Sequence, residues 1–236
     1  MDGMTAPSWQ RQRQQLAQRV AGRTHRLIQT GALPEMVDPA LGLPVWMDPI
    51  EFSQIVAVLE VLQPKVVVEW GAGGSTRGFL ARSPFVQRWV SIEHDGAWAK
   101  NVQSTLRDPR LEVHHVGPAE AEPPPADGDA DRHKRLVAWR NRAETDRALF
   151  ADYIDKPAQL GLQPDLALVD GRARSLCIAE AMRILRPGGV VILHDAQRGE
   201  YHEAMHAAGR AVFLQPWNQG QVALVTKPLA MPAQQP

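Results

Sequence analysis

Two groups of residues in this 236-residue chain combine side-chain types and spacing that chemistry can use. The first is Glu69-Trp-Gly-Ala-Gly-Gly-Ser75, an acid followed by glycines at 71, 73 and 74. Glycine permits φ > 0 and lets a ligand come close to the backbone. A carboxylate ahead of such a turn suits a cationic or amino-acid-bearing ligand and repels a pyrophosphate. No Gly-Lys-Ser/Thr follows, so the turn is not a P-loop, and Thr76 stands where a dinucleotide fingerprint has its third glycine. The second group comprises Asp170, Arg172, Arg174, His194, Asp195 and Arg198. In one chemistry His194 is the general base on an acceptor hydroxyl, oriented by Asp170 or Asp195. In another, Asp170 and Asp195, with or without His194, hold a divalent metal that lowers the acceptor's pKa. Arg172, Arg174 and Arg198 could grip an anionic acceptor bidentately, or neutralise the two aspartates. The bland alternative for His194-Asp195 is a loop pair that caps local backbone.

These groups need strands to place them. Val66–Val68 read as a buried strand that ends at Glu69, and a helix follows from about Ser75. Trp89-Val-Ser-Ile-Glu-His-Asp95 reads as a second strand ending in acids. Glu93 lies about 20 residues past the glycine turn, where a doubly wound sheet places a carboxylate on ribose hydroxyls. Leu111–Val116, Asp165–Asp170 and Val190–Leu193 give three more strands. Ala211–Leu214 and Gln221–Val225 flank a short turn and are expected to pair antiparallel. Helical stretches separate the earlier strands, as parallel crossovers require. The expected fold is α/β: a doubly wound, mostly parallel seven-stranded sheet with an antiparallel last strand and helices on both faces.

On these motifs the chain resembles the class I S-adenosylmethionine-dependent methyltransferases. Glu69-Trp-Gly-Ala-Gly-Gly-Ser75 is similar to their first motif, Ser91-Ile-Glu-His-Asp95 to their second and Leu168-Val-Asp-Gly-Arg172 to their fourth. Leu185-Arg-Pro-Gly-Gly-Val190 is similar to the turn before their fifth strand. The resemblance implies that Glu69 and the backbone of Gly71, Gly73 and Gly74 face the methionine part of the cofactor. It puts Glu93 on the ribose, and His94 and Gly117–Glu120 near the adenine. Asp170 would touch both cofactor and acceptor. Ser75 and Thr76 could donate to the cofactor carboxylate or cap the helix. The catechol-type, metal-dependent members carry an Asp-Asn pair after strand five and a lysine after the strand-four acid. Here His194-Asp195 and Ala173 stand there, so their metal set does not carry over intact.

The implied reaction is methyl transfer to a small acceptor, an anionic one if the arginines grip it. O-methylation with His194 as base comes first, N-methylation second. An aminopropyl-type transferase and a non-catalytic cofactor-binding module are the readings from other classes.

Formal net charge is zero, which offers no overall basic field for nucleic acid or an anionic membrane. No apolar run reaches the roughly 20 residues of a membrane span, and no signal-peptide pattern opens the chain, so the expected location is cytoplasmic. The single cysteine, Cys177, reads as a buried structural thiol. A homo-oligomer is left open.

Residues 1–47 are expected to form a helical extension and loop, 48–227 the cofactor-binding domain and 228–236 a tail. Ser8–Thr30 reads as a helix that covers the active site or a partner subunit, or packs one stripe on the domain; Leu33–Val45 reads as a loop. Asp48-Pro49 reads as a helix N-cap with proline in the first turn. Residues 118–160 form an insertion with a helix at Arg132–Tyr153, read as a lid or a surface decoration, with Trp139 and Tyr153 as candidate acceptor contacts. His202 and His206 share a helix face and read as surface histidines.

Overall fold

A computed structural model of the chain describes residues 8–30, 43–125 and 127–229. The expected loop at 33–42, the segment 1–7 and most of the tail lie outside the described residues, as does the Trp9 side chain. The central strands are the apolar runs. β1 (Val66–Trp70), β4 (Leu166–Val169) and β5 (Val190–Leu193) are buried along almost their whole length. Strands covered on both faces must read this way, because neither face meets water. β2 (Arg88–Glu93) and β3 (Leu111–His115) extend the sheet on one side, β7 (Ala223–Thr226) and β6 (Val212–Phe213) on the other. The order is β3-β2-β1-β4-β5-β7-β6. β1 to β5 are parallel, and β7 runs antiparallel to both β5 and β6. The described residues thus form the expected doubly wound sheet.

Alternation along the strands divides the core in two. Val67, Trp89, Leu166, Leu168 and Ile192 face α2 (Pro49–Leu62) and α3 (Gly74–Arg82). Trp70, Ile92, Val169 and Leu193 face the other way, toward α5 (Ala130–Thr145), α6 (Ala151–Gln159), α7 (Arg174–Ile184) and α8 (His202–Ala208). α4 (Gly96–Thr105) joins β2 to β3 and buries Ala99 and Val102. α1 (Ser8–Gln29) lays Val20, Thr24 and Leu27 on the α2 side of the molecule. An ion pair between Arg23 and Glu60 fastens it there. Among the described residues it packs chiefly on α2.

α2 starts as its sequence dictates. The Asp48 side chain accepts from Ile50 N at 2.8 Å, Pro49 opens the first turn, and Glu51 reaches back to Asp48 N at 3.3 Å. The stretch expected as one helix over 132–153 is two helices. Asp146 accepts from Ala148 N and starts a 3-10 turn at Arg147–Phe150, which breaks the run. Trp139 and Tyr153 are buried, 2% and 0% exposed, and both rings pack on Phe150. Cys177 is buried too, and burial pushes its thiol well above the ordinary range. No helix among the described residues is long and apolar enough to cross a membrane.

The chain leaves β1 outward through β2 and β3, then returns to β4 on the other side of β1. Loops that leave the carboxyl ends of β1 and β4 therefore part in opposite directions and open a crevice between them. The two loops start almost in contact. Asp170 N donates to Trp70 O at 2.9 Å, and a Cβ on Gly71 would lie 2.8 Å from Gly171 N. Gly71 also sits at φ 94°. Gly71→Ala is therefore expected to lower stability by more than about 1 kcal/mol, read as a fall in the urea midpoint at constant m-value. An unchanged midpoint would mean that the two loops separate without cost.

Candidate functional site

Strand alternation puts Glu69, Trp89 and Ser91 on the same side of neighbouring strands, under the start of α3. The Glu69 carboxyl group is 1% exposed. It accepts from Trp89 Nε1 at 2.9 Å and Thr76 Oγ1 at 3.0 Å, and hydrogen-bonds to Ser91 Oγ. Thr76 Oγ1 in turn accepts from Gly73 N at 3.0 Å. One acid thus ties β1, β2 and α3 to the glycine turn. Burial raises the Glu69 pKa to about 8, against the opposing pull of its hydrogen bonds to Ser91, Trp89 and Thr76. Of the two roles expected for Thr76, the structure shows the cap: its hydroxyl serves Gly73 N at the start of α3 and joins Glu69 beneath the turn. Ser75 is also buried, at the first turn of α3.

The turn's upper face differs from glycine to glycine. A Cβ on Gly74 would meet Leu43 O at 2.5 Å, so α3 begins hard against the segment entering α2. A Cβ on Gly73 would find only the Trp98 ring edge, at 3.7 Å. Among the described residues Gly73 is therefore the open position of the turn. Beside it Trp98 donates to Ala72 O at 2.5 Å and stacks on the exposed Trp46, with ring centroids 5.0 Å apart.

Glu93 ends β2 at 3% exposure. Its Oε2 accepts from Ala72 N at 3.0 Å and its Oε1 from Asp95 N at 2.9 Å, with His94 Nδ1 2.8 Å from the same oxygen. The acid spans the loops after β1 and β2. The His94 ring lies 6.1 Å from the rings of both Phe150 and Tyr153, which wall this side. The loop after β3 is anchored by Ala119 N donating to Leu149 O at 2.9 Å.

The third part lies at the ends of β4 and β5, which are paired neighbours. His194 is 4% exposed. Its Nδ1 is 2.5 Å from Asp170 Oδ1, and its Nε2 is 3.1 Å from Glu51 Oε2. Asp195 follows in the left-handed region at φ 59°. Arg174 donates to the His194 carbonyl at 2.8 Å and the Asp170 carbonyl at 3.0 Å, and pairs with the Asp170 and Asp195 carboxylates at 3.5 and 3.4 Å. Arg198 pairs with Asp195 at 2.7 Å. Asp170, His194, Asp195, Arg174 and Arg198 are thus brought together, and Arg174 and Arg198 neutralise aspartates. Arg172 is drawn elsewhere, to Glu122 at 3.1 Å.

Sequence reasoning missed Glu51. Its capping-box pattern was visible, but contact with a histidine 143 residues away was not. Gly220 is the companion signal, because a Cβ there would collide with the Glu51 carboxylate.

The surroundings of His194 engage both of its ring nitrogens. Burial disfavours the imidazolium, yet the Asp170 charge and the hydrogen bonds to Asp170 and Glu51 outweigh it and raise the pKa to about 10. A carboxylate faces each ring nitrogen, Asp170 at Nδ1 and Glu51 at Nε2. His202, by contrast, bonds the Ala196 carbonyl at 2.8 Å and packs on Phe213, so it supports the loop after β5.

A cleft of about 620 Å³ opens between α5, α7 and α8. Arg140, Glu144, Arg172, Ser175, Arg198 and Tyr201 are among the residues that line it. Arg198 connects it to Asp195, and the Arg174 guanidinium lies 5.5 Å from the centre of the Tyr201 ring. Both arginines expected to meet substrate therefore reach this cleft. Glu144 offsets them, held above the ordinary carboxylate range by burial.

Solved structures share this architecture. A methyltransferase-like protein from Silicibacter pomeroyi is 21% identical, matching 82% of this chain and 93% of its own, with a TM-score of 0.52. An O-methyltransferase from Bacillus cereus, solved in complex with SAH, is 16% identical over 88% of this chain and 90% of its own, with a TM-score of 0.51. A cofactor-bound protein of MTB is 18% identical over 89% and 90%, with a TM-score of 0.52. The chain has the Rossmann-like fold of the class I methyltransferases. No protein-family profile matches it, and neither does any curated protein sequence.

Glu69 carries a pH dependence that can be isolated. Its pKa rises from 4.5 unfolded to about 8 folded, so its stabilising contribution is full below pH 4.5 and declines as pH rises toward 8. Glutamine keeps the shape and hydrogen bonds but cannot ionise. Relative to Glu69→Gln, the native chain is expected to lose about 2–4 kcal/mol of unfolding free energy between pH 5 and 8. Urea midpoints at the two pH values measure this, and parallel losses in both proteins would contradict it.

Proposed function

We propose that this chain is an S-adenosylmethionine-dependent methyltransferase acting on a small polar acceptor, with O-methylation as the reaction. The observation that carries the reading is the set of groups at the switch point: Gly73, which among the described residues meets only Trp98, the buried acid Glu93 at the end of β2, and the Asp170 carboxylate after β4. The donor set fits the cofactor: backbone of Gly71, Gly73 and Gly74 with Ser75 for the amino-acid part, Glu93 for the ribose hydroxyls, and His94 beside the adenine. When bound, the cofactor supplies an electrophilic sulfonium methyl group, so the protein's work is alignment and proton removal.

In this reading the acceptor approaches Asp170 from the cleft walled by α5, so that Arg140, Asn141, Glu144 and Thr145 of the 118–160 insertion line its path. Arg172 and Arg198 position it. Because Glu144, Glu200 and Glu203 line the same cleft, a polar acceptor suits it better than a strongly anionic one. Asp170 receives the hydroxyl proton; its side chain is 20% exposed, whereas His194 behind it is 5% exposed. His194 holds the Asp170 carboxylate in place, braced from behind by Glu51, and Arg174 fixes the loop. Asp195 keeps Arg174 and Arg198 in position. The engagement of both His194 nitrogens favours one second reading, N-methylation, since a neutral amine needs no base.

The test is cofactor-dependent formation of S-adenosylhomocysteine across a panel of small alcohols, phenols and amines. For a hydroxyl acceptor, Asp170→Asn is expected to lower kcat by roughly 10²–10⁴-fold while cofactor affinity stays within about threefold. Turnover confined to amines and indifferent to Asp170→Asn would support the second reading. No turnover with any acceptor by a chain that binds the cofactor would favour a binding module.

A further inference from the structure

Glu51, His194 and Asp195 come from two places far apart in sequence, the first turn of α2 and the end of β5. Each offers a ligand atom, and these atoms lie within 4.8 Å of one another. One imidazole nitrogen and two carboxylates form a donor set for a divalent ion of the Mn²⁺, Fe²⁺, Co²⁺ or Zn²⁺ class. The geometry points to a divalent-metal site formed by Glu51, His194 Nε2 and Asp195, with Asp170 orienting the imidazole from outside the ligand set.

Four features carry this assignment. The Asp170 carboxylate holds His194 Nδ1 at 2.5 Å, the outer-sphere arrangement that fixes the tautomer of a metal-binding histidine and leaves its other nitrogen for the metal. Glu51 faces that other nitrogen at 3.1 Å. Its carboxylate is 3% exposed and set against Gly220, where no Cβ crowds it. The Asp195 carboxylate, at 16% side-chain exposure, is the ligand nearest solvent and marks the entry side.

Binding exchanges one ion for another. The proton on Nε2 leaves as the metal arrives, and the Gln197 amide, 3.1 Å from Asp195 Oδ1, gives way. Arg174 and Arg198 stay on Asp195 Oδ2. This set differs from the Asp170–Asp195 pair expected from sequence: it takes its third ligand from α2, and it moves Asp170 to a positioning role. Metal binding so defined does not depend on the cofactor reading, and either can fail alone.

The probe is Mn²⁺ alone, titrated into the full chain and followed by the paramagnetic resonance of the free ion. One Mn²⁺ per chain is expected, with a nitrogen coupling from one imidazole in the spin-echo spectrum. Glu51→Gln keeps the capping box and is expected to weaken binding at least tenfold. Asp170→Asn is expected to weaken it by roughly 10–100-fold while the nitrogen coupling remains. Absence of Mn²⁺ binding in the native chain would overturn the site. So would binding that ignores Glu51→Gln or shows no nitrogen coupling, because the ion would then sit on the Asp170–Asp195 pair or on the surface.

Discussion

The Glu69 carboxyl group, buried beneath the glycine turn, is the interaction on which the rest of the site depends. A carboxyl in that position has to be surrounded by donors or carry a proton, because burying an unpaired charge is prohibitively costly. The chain supplies Trp89, Ser91 and Thr76. Each belongs to a different stretch, so satisfying one acid aligns β1, β2 and the first turn of α3. The turn above is then narrow in conformation: Gly71 lies against Gly171, Gly74 against Leu43, and among the described residues Gly73 is the least crowded.

A second acid repeats this logic one strand away. Glu93 is buried and takes two loop amides, and that brings the loops after β1 and β2 into one wall. On the opposite wall, His194 joins Asp170 to Glu51. Three short polar networks therefore stand at the carboxyl ends of four neighbouring parallel strands or their loops. The apolar layers on both sheet faces hold those ends rigid. Networks whose members are mutually satisfied fix geometry well, and this is where a reaction governed by alignment gains most.

The fold was legible in the sequence where one physical constraint dominated. β1, β4 and β5 are buried on both faces, and Val66–Val68, Leu166–Val169 and Val190–Leu193 have almost no other way to fold. The glycine turn and the β6–β7 pairing followed from turn chemistry. The site was legible in part. Asp170, His194 and Asp195 could be placed together because neighbouring strands share an end. Glu51 could not, since its partner lies 143 residues on and its own sequence signal is explained by capping alone. The burial of Trp139 and Tyr153 could not be read from sequence, because an aromatic in an insertion looks the same whether it faces a cleft or the core. The break at Asp146 escaped because Asp is compatible with a helix interior until its side chain finds the Ala148 amide.

The central claim is that the crevice around Gly73, Glu93 and Asp170 holds S-adenosylmethionine. Calorimetric titration of the chain with that cofactor tests it most directly. The account predicts one site per chain with a dissociation constant in the micromolar range, displaced by S-adenosylhomocysteine. No heat of binding from a folded chain, with or without a divalent metal, would contradict it and leave a methyltransferase-type fold that serves another ligand.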